Sequence, residues 1–163
     1  DSHGLVVTKH ERFVWVFDSE QNVAEVLNTR TGANISTIDL NKGGPAGLAP
    51  DLAGRSPSGN RIFVSLRGPN PLSGDPHLST GSTPGLGVIQ VTKNGRSGKL
   101  KSVIPIHNID ADRIERADAH GIGVRLKETP RFQGGDMSGP EEEEDEDKED
   151  DKNKPMTKNK DRS

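Results

Sequence analysis

Two histidines are the side chains of this sequence best suited to binding chemistry. His3 and His120 each precede a glycine and an aliphatic residue, in the segments Ser-His-Gly-Leu and Ala-His-Gly-Ile. Because both segments begin an apolar stretch, we expect the two rings at the same point of two equivalent strands. Imidazole nitrogens at matching positions can bind a ligand or a transition metal.

A structural role competes with this interpretation. A ring at the start of a strand can hydrogen-bond to the backbone of a neighbouring sheet, and a metal site would require further ligands with partners of their own. The third segment of this kind, residues 45–48, carries Ala46 where the histidine would stand. His10, His77 and His107 share no spacing with the pair. His3 and His120 are therefore the candidate binding residues, and we predict neither a metal ion nor a cofactor.

Residues for acid-base or nucleophilic catalysis do not form a recognisable set. The candidate carboxylates stand beside predicted strand ends or turns, where aspartate ordinarily accepts hydrogen bonds from turn N–H groups; they are Asp18, Asp39, Asp51 and Asp118. The serines of residues 54–59 precede a strand instead of occupying a strand-to-helix elbow. The glycine pairs at 85–87 and 121–123 lack the third glycine of a phosphate-binding loop. We predict no catalytic residue.

Composition excludes several classes of function. The chain has no cysteine, which excludes disulfides and thiolate chemistry and leaves the compartment open. The sequence contains no apolar run of about 18 residues, so no membrane span is predicted. Aromatic residues make up only 3% of the chain, too few to offer a stacking surface for bases, and nucleic acid is not an expected partner. Because the chain begins with aspartate instead of methionine, we expect a processed chain or a fragment.

The C-terminal part of the chain has a different composition. Residues 136–163 contain 12 acidic and 6 basic side chains, and ten of the eleven residues 141–151 are acidic. Such a segment repels itself and has too few apolar residues to form a core. We predict that residues 128–163 are a disordered tail. It serves either as a solvating segment or as a tether for a basic partner or a divalent cation.

The elements that must position these residues repeat along the chain. The segments at 2–5 and 45–48 are 43 residues apart, the period of a four-stranded propeller unit. The third, at 119–122, follows after 74 residues, and the Pro-, Gly- and Ser-rich stretch 68–85 accounts for the excess as a surface loop. Strands are predicted at 4–7, 13–17, 23–27 and 35–40, then at 47–49, 62–66, 88–91 and about 103–106. We further predict one or two helical turns within 109–117 and a last strand at 121–126.

The second predicted strand is apolar on both faces. Phe13, Trp15 and Phe17 point to one side of the strand, and Val14 and Val16 point to the other. A sheet with one face in water would alternate apolar with polar residues. This strand is therefore expected to lie between two other sheets, as an inner strand of a propeller does.

These segments resemble the repeats of YVTN-type, lactonase-like β-propellers. Residues 45–49 followed by 56–64 are similar to that family's Pro-Gly-aliphatic, Ser-Pro-Asp-Gly and Tyr-Val pattern, and residues 22–32 are similar to its third strand and following turn. The resemblance covers residues 2–126. Ser58 stands where aspartate is usual, and residues 51–55 are extra to the pattern.

The resemblance implies an all-β, incomplete β-propeller of four-stranded antiparallel blades. Residues 1–127 would hold a first blade at about 2–42, a second at about 43–108 and the start of a third at about 118–127. His3 and His120 would then face the central channel, where some related propellers of oxidoreductases hold a metal. The resemblance also slightly favours a secreted or periplasmic location.

Function is expected from the faces of the sheets. All informative residues explain folding, so we expect a non-enzymatic binding or scaffold module that contacts a protein partner or itself through uncovered blade faces. The alternative is a fragment of a lactonase-like or metal-dependent redox enzyme with its site at the central channel.

Overall fold

The computed structural model describes residues 2–42, 44–71 and 79–125. The chain divides into one compact unit of residues 1–127 and a second unit of residues 128–163. The predicted disordered tail therefore lies outside the described residues. None of the described residues forms a helix long and apolar enough to cross a membrane.

The first sheet, called sheet 1, is an antiparallel meander. Its strands are β1 (Ser2–Val7), β2 (Phe13–Asp18), β3 (Val23–Asn28) and β4 (Asn34–Asp39), hydrogen-bonded in that order. The strands end where side chains satisfy turn N–H groups. Asp18 Oδ1 accepts from the N–H groups of Glu20 and Gln21, and Asn28 Oδ1 accepts from those of Arg30 and Thr31.

The second sheet, called sheet 2, repeats this order. It contains β5 (Pro50–Arg55), β6 (Arg61–Leu66), β7 (Gly85–Thr92) and β8 (Ser97–Pro105), all antiparallel. A short 3-10 turn, Lys93–Gly95, joins the last two strands. The all-β class and its four-stranded antiparallel sheets are thus confirmed.

The first strand of sheet 2 lies further along the chain than predicted. The prediction placed it at 47–49 and treated residues 51–55 as extra, whereas those residues form most of β5. Gly47 has a φ of +71°, which is incompatible with an extended strand. Pro50 is tolerated as the first residue of a strand because no ladder N–H is needed there.

Two further predicted elements are absent from their places. Residues 109–117 form no helix; instead Ile109 bridges to Glu115, and Asp110 Oδ1 accepts from the N–H groups of Asp112 and Ile114. Residues 121–125 form no regular strand, although they run beside β5. A Cβ at Gly54 would lie 2.9 Å from Ile122 and 3.0 Å from Val124, so glycine permits this close approach.

The two sheets pack face to face around a single core. Side chains of the strands meet there with those of the connection between β4 and β5; the largest fully buried apolar ones are Trp15, Phe17, Leu40, Leu48, Ile62, Leu66 and Ile89. At one edge of the contact β1 approaches β5 so closely that a Cβ at Gly4 would lie 1.9 Å from the carbonyl oxygen of Asp51. Substitution of Gly4 would therefore force the two sheets apart.

Trp15 connects the sheets by both packing and a hydrogen bond. Its ring is fully buried and lies over Gly98 of β8, where a Cβ would be 2.4 Å away. Its Nε1–H donates to the carbonyl oxygen of Gly95 at 2.8 Å. The indole of sheet 1 thus fixes the turn between β7 and β8 of sheet 2.

Replacing this indole tests the contact. We expect Trp15→Phe to lower the free energy of unfolding by about 2–4 kcal/mol, because it removes buried apolar volume and leaves the Gly95 carbonyl without its donor. Phe17→Leu is the control, since it removes buried volume but no hydrogen bond, and we expect it to cost about 1–2 kcal/mol. Urea unfolding measures both variants. Equal losses would show that the Trp15 hydrogen bond contributes nothing.

Candidate functional site

A buried arginine lies at the centre of an ion-pair cluster. Among the described residues this is the only such cluster that is buried. Arg67 follows β6 directly, and its side chain is 2% exposed. Its Nη1 donates to Asp51 Oδ2 at 2.8 Å, while Nε and Nη2 donate to Asp118 Oδ1 and Oδ2 at 2.7 and 2.8 Å. This guanidinium therefore ties β5 to the segment after β8, with the two-pronged geometry that carboxylates favour.

Hydrogen bonds within the cluster keep Asp118 and Arg67 ionised although the Arg67 side chain is buried and that of Asp118 is largely buried. Burial acts to raise the pKa of Asp118, but the hydrogen bonds from Arg67 and from the Gly68 N–H outweigh it, and the pKa is lowered. The hydrogen bond with Asp118 is also the main cause that raises the pKa of Arg67 above its usual value. Both partners are therefore charged at neutral pH.

His120 is oriented by the same cluster. Its Nδ1 lies 2.6 Å from Asp51 Oδ2 and 2.9 Å from Arg67 Nη1. A carboxylate only accepts and a guanidinium only donates, so the shorter contact assigns the proton to Nδ1, which donates to Asp51. The side chain of His120 is 58% exposed, which leaves the imidazole accessible to solvent.

One oxygen of Asp51 stands apart from these contacts. Its Oδ2 accepts from both Arg67 and His120, whereas its Oδ1 is buried without a hydrogen-bond partner among the described residues. A buried acceptor of this kind costs free energy. Chemically, the pair of Asp51 and His120 resembles an oriented general base, the arrangement in which a carboxylate fixes the tautomer of an imidazole.

The structure places the two predicted binding residues on different segments, both of which approach β5. His3 lies in a bulge of β1, and the neighbouring Gly4 contacts Asp51 from the side of sheet 1. His120 reaches Asp51 from the segment after β8 and joins Arg67 there. Among residues 2–42, 44–71 and 79–125, no group of three or more His, Asp or Glu side chains is arranged to hold a metal ion. The binding role of His3 and His120 remains a prediction.

The other histidines and the candidate carboxylates have the following positions and contacts. His107 contacts Glu115 at 2.8 Å, His10 is exposed in the turn after β1, and His77 lies outside the described residues. Asp18 and Asp39 accept from turn N–H groups, as predicted. For Asp51 and Asp118 that prediction is wrong, because both pair with Arg67.

Sequence reasoning missed Arg67 altogether. The available signal was an arginine that directly follows the apolar run 62–66, a position where its side chain enters the core and requires carboxylate partners. Nothing in the spacing identifies those partners, which lie 16 and 51 residues away.

A second candidate site is apolar and lies on the face of sheet 1 that sheet 2 leaves uncovered. Register places Leu5 opposite Val16, Val7 opposite Val14, and Val14 opposite Leu27. We call these five residues the outer patch. Leu5 is 64% and Val7 41% exposed, while the other three are half-buried.

Polar contacts border the outer patch on the side of β4. Glu25 Oε2 accepts from Asn34 Nδ2 at 2.5 Å and from Thr37 Oγ1 at 2.8 Å, and all three side chains lie on the same face as the patch. The corresponding face of sheet 2 differs, because Ile122 and Val124 pack over Gly54 there. An apolar centre with a polar rim is the usual anatomy of a protein interface.

The comparisons with known proteins are negative. No protein-family model matches the chain, and no curated protein matches it. The resemblance to YVTN-type repeats therefore stays an interpretation of the sequence, and the functional argument depends on the two sites themselves.

Removing the buried cation tests the Arg67 cluster. We expect Arg67→Met to lower the free energy of unfolding by about 3–5 kcal/mol, since Asp51 and Asp118 would remain buried without a cation. Arg116→Met is the control, because Arg116 pairs with Asp110 at a partly exposed site, and we expect a loss of about 1 kcal/mol or less. Urea unfolding at neutral pH measures both. Similar losses would contradict a structural role for the cluster.

Acid titration tests the turn after β8. The N–H of Asn108, the side chain of His107 and the N–H of Ala117 lower the pKa of Glu115 from 4.5 to about 2. A depressed folded-state pKa stabilises the protein above pH 4.5, and this contribution is lost as the pH falls towards 2. We expect Glu115→Gln to be less stable at neutral pH and to lose less stability over that range. Identical pH profiles of unfolding, from urea titrations at each pH, would contradict this account.

Proposed function

We propose that this chain is a non-enzymatic β-propeller segment that acts as a binding or scaffold module, and that the outer patch is its docking surface. The observation that carries the proposal is the set of apolar side chains aligned in register over three strands, with Leu5 and Val7 open to solvent. An apolar surface of this kind with a polar rim marks an interaction site.

The order of the strands supports the propeller part of the proposal. β1 adjoins β5 at Gly4, and β5 adjoins residues 122 and 124 at Gly54. The first strand of sheet 1 therefore lies beside the first strand of sheet 2, which in turn lies beside the segment that follows sheet 2 in the chain. The outer strands β4 and β8 are also in contact. Consecutive sheets that stack with their first strands together generate a propeller when the rotation continues.

The partner that fits the outer patch is another β-sheet with an apolar face. Sheet 2 covers the opposite face of sheet 1 in this way, with Ile62, Val64 and Ile89 in the contact. Sheets pack about 10 Å apart, and burial contributes about 25 cal/mol per Å2, so a few hundred Å2 supplies several kcal/mol. The sheet would come from a second copy of this chain or from a different protein.

The second candidate function is enzymatic. A lactonase-like or metal-dependent redox activity would use the oriented imidazole of His120, and the observation that favours it is the 2.6 Å contact with the buried Asp51. Hydrolysis of a panel of lactones by the full chain and by His120→Ala tests this candidate. If the full chain and His120→Ala both hydrolyse the lactones no faster than buffer alone, a lactonase activity is eliminated.

A single charge on the outer patch tests the binding function. We expect the purified chain to self-associate or to bind an apolar dye as a monomer, and Leu5→Glu to abolish either property, because a carboxylate cannot be buried there unpaired. Ile109→Glu is the control, since Ile109 is 55% exposed but lies outside the patch. Light scattering and dye fluorescence at several concentrations measure both.

Each outcome of this experiment has a defined meaning. Concentration-dependent association that Leu5→Glu removes identifies a second copy as the partner. A dye-binding monomer that loses the dye in Leu5→Glu identifies a different protein as the source of the sheet. A monomer that melts cooperatively and binds no dye would show that the outer patch is not a docking surface.

A further inference from the structure

Four turns converge at one end of the two sheets. The turns after β1 and β3 contact each other, because the N–H and Oγ1 of Thr29 donate to the carbonyl oxygens of Arg12 and Glu11. The turns of sheet 2 lie beside them, since Gly59 contacts Lys9 and Ser36 Oγ donates to the carbonyl oxygen of Arg96. We call this end the hairpin tip.

Three adjoining depressions run across the hairpin tip. The first has a volume of about 310 Å3 and lies between Lys9, Asn60 and Lys93. The second shares Lys93 and Asn94 with the first, and the third shares Arg96 with the second and continues to Arg12 and Arg30. Neighbouring depressions share wall residues and therefore lie side by side across both sheets; we call the three together the tip groove.

The tip groove is strongly cationic. It is lined by a single carboxylate, that of Glu11, and by five cations, Lys9, Arg12, Arg30, Lys93 and Arg96. None of these cations makes an ion pair with a described residue, and all five are exposed. Unpaired charges of one sign along a groove attract a ligand of the opposite sign.

The backbone of the tip groove is held in an uncommon conformation. Lys93, Asn94 and Gly95 are consecutive and have φ angles of 48°, 55° and 95°. Two successive non-glycine residues in the left-handed region carry strain, which persists only where the surroundings impose it. The hydrogen bond from Trp15 to the Gly95 carbonyl supplies that restraint from the core. The turn therefore holds the backbone that carries Lys93 and Asn94 in the wall of the groove.

We propose that the tip groove binds an extended acidic peptide segment of a protein partner. The groove offers cations for carboxylates and, at Ser58, Asn60 and Asn94, neutral hydrogen-bonding side chains for a peptide backbone. Nucleic acid fits less well, because the aromatic rings at this end, Phe13 and Trp15, are buried and unable to stack on bases. This surface is independent of the outer patch.

Fluorescence anisotropy with the full chain tests the proposal. The probe is a labelled ten-residue peptide of alternating glutamate and serine, with a glutamine-serine peptide and a short DNA duplex of random sequence as comparisons. We expect the acidic peptide to bind, the neutral peptide not to bind, and binding to weaken as salt rises from about 50 to 200 mM.

Two matched double variants locate the binding site. Arg30→Glu with Arg96→Glu reverses two charges of the tip groove and is expected to weaken binding about tenfold or more. Lys42→Glu with Lys101→Glu makes the same change in net charge at exposed positions outside the groove and is expected to alter affinity by about twofold or less. Thermal melting checks that each double variant folds. If the variant with glutamate at Arg30 and Arg96 does not fold, glutamine is used at these two positions instead.

The results separate the proposal from its competitors. An equal loss of affinity in both double variants would show a general effect of net charge and would overturn the tip groove as the site. Tighter binding of DNA than of the acidic peptide would assign the groove to nucleic acid and would overturn the choice of partner. Absence of binding to the acidic peptide at about 50 mM salt, where screening of exposed charges is weak, would also overturn it.

Discussion

The structure depends on one strand, β2, that is apolar on both faces and is therefore stabilised by cover on each of them. In sheet 1 the central strand β2 turns Phe13, Trp15 and Phe17 towards sheet 2, where they are buried. Its other face carries Val14 and Val16, and this face is only half-buried. A hydrophobic face left open costs free energy in proportion to its area. The same pattern that builds the core therefore also produces the outer patch, which we propose as the docking surface.

Close approach of the two sheets is made possible by glycines and fixed by polar contacts. Gly4 lets β1 reach β5, and Gly98 accommodates the ring of Trp15. The indole then holds the Lys93–Gly95 turn, while Arg67 holds the segment after β8 through Asp118. These two contacts lie towards opposite ends of the sheets. One supports the tip groove, and the other supports the pair of Asp51 and His120.

Sequence alone predicted the class and most strands, because short runs of aromatic and β-branched residues, such as residues 13–17, are a local signal. It misplaced β5, since Pro50 and Gly54 weaken the strand pattern while the apolar residues 47–49 imitate one. It predicted helical turns within 109–117, where the carboxylates of Asp110 and Glu115 accept hydrogen bonds from backbone N–H groups and decide the conformation instead. The partners of Arg67 and the convergence of cations at the hairpin tip depend on contacts between residues distant in sequence, which no local pattern encodes.

The exposure of the outer patch is the central claim, and hydroxyl-radical footprinting of the full chain measures it directly. In dilute solution we predict that Leu5 and Val7 are oxidised far faster than Leu27, which is half-buried, and that buried Leu40 is protected. When the chain self-associates or binds its partner sheet, Leu5 and Val7 should become protected while exposed Ile109 does not. Protection of Leu5 and Val7 in the dilute monomer, or their continued oxidation in the assembled state, would contradict the account.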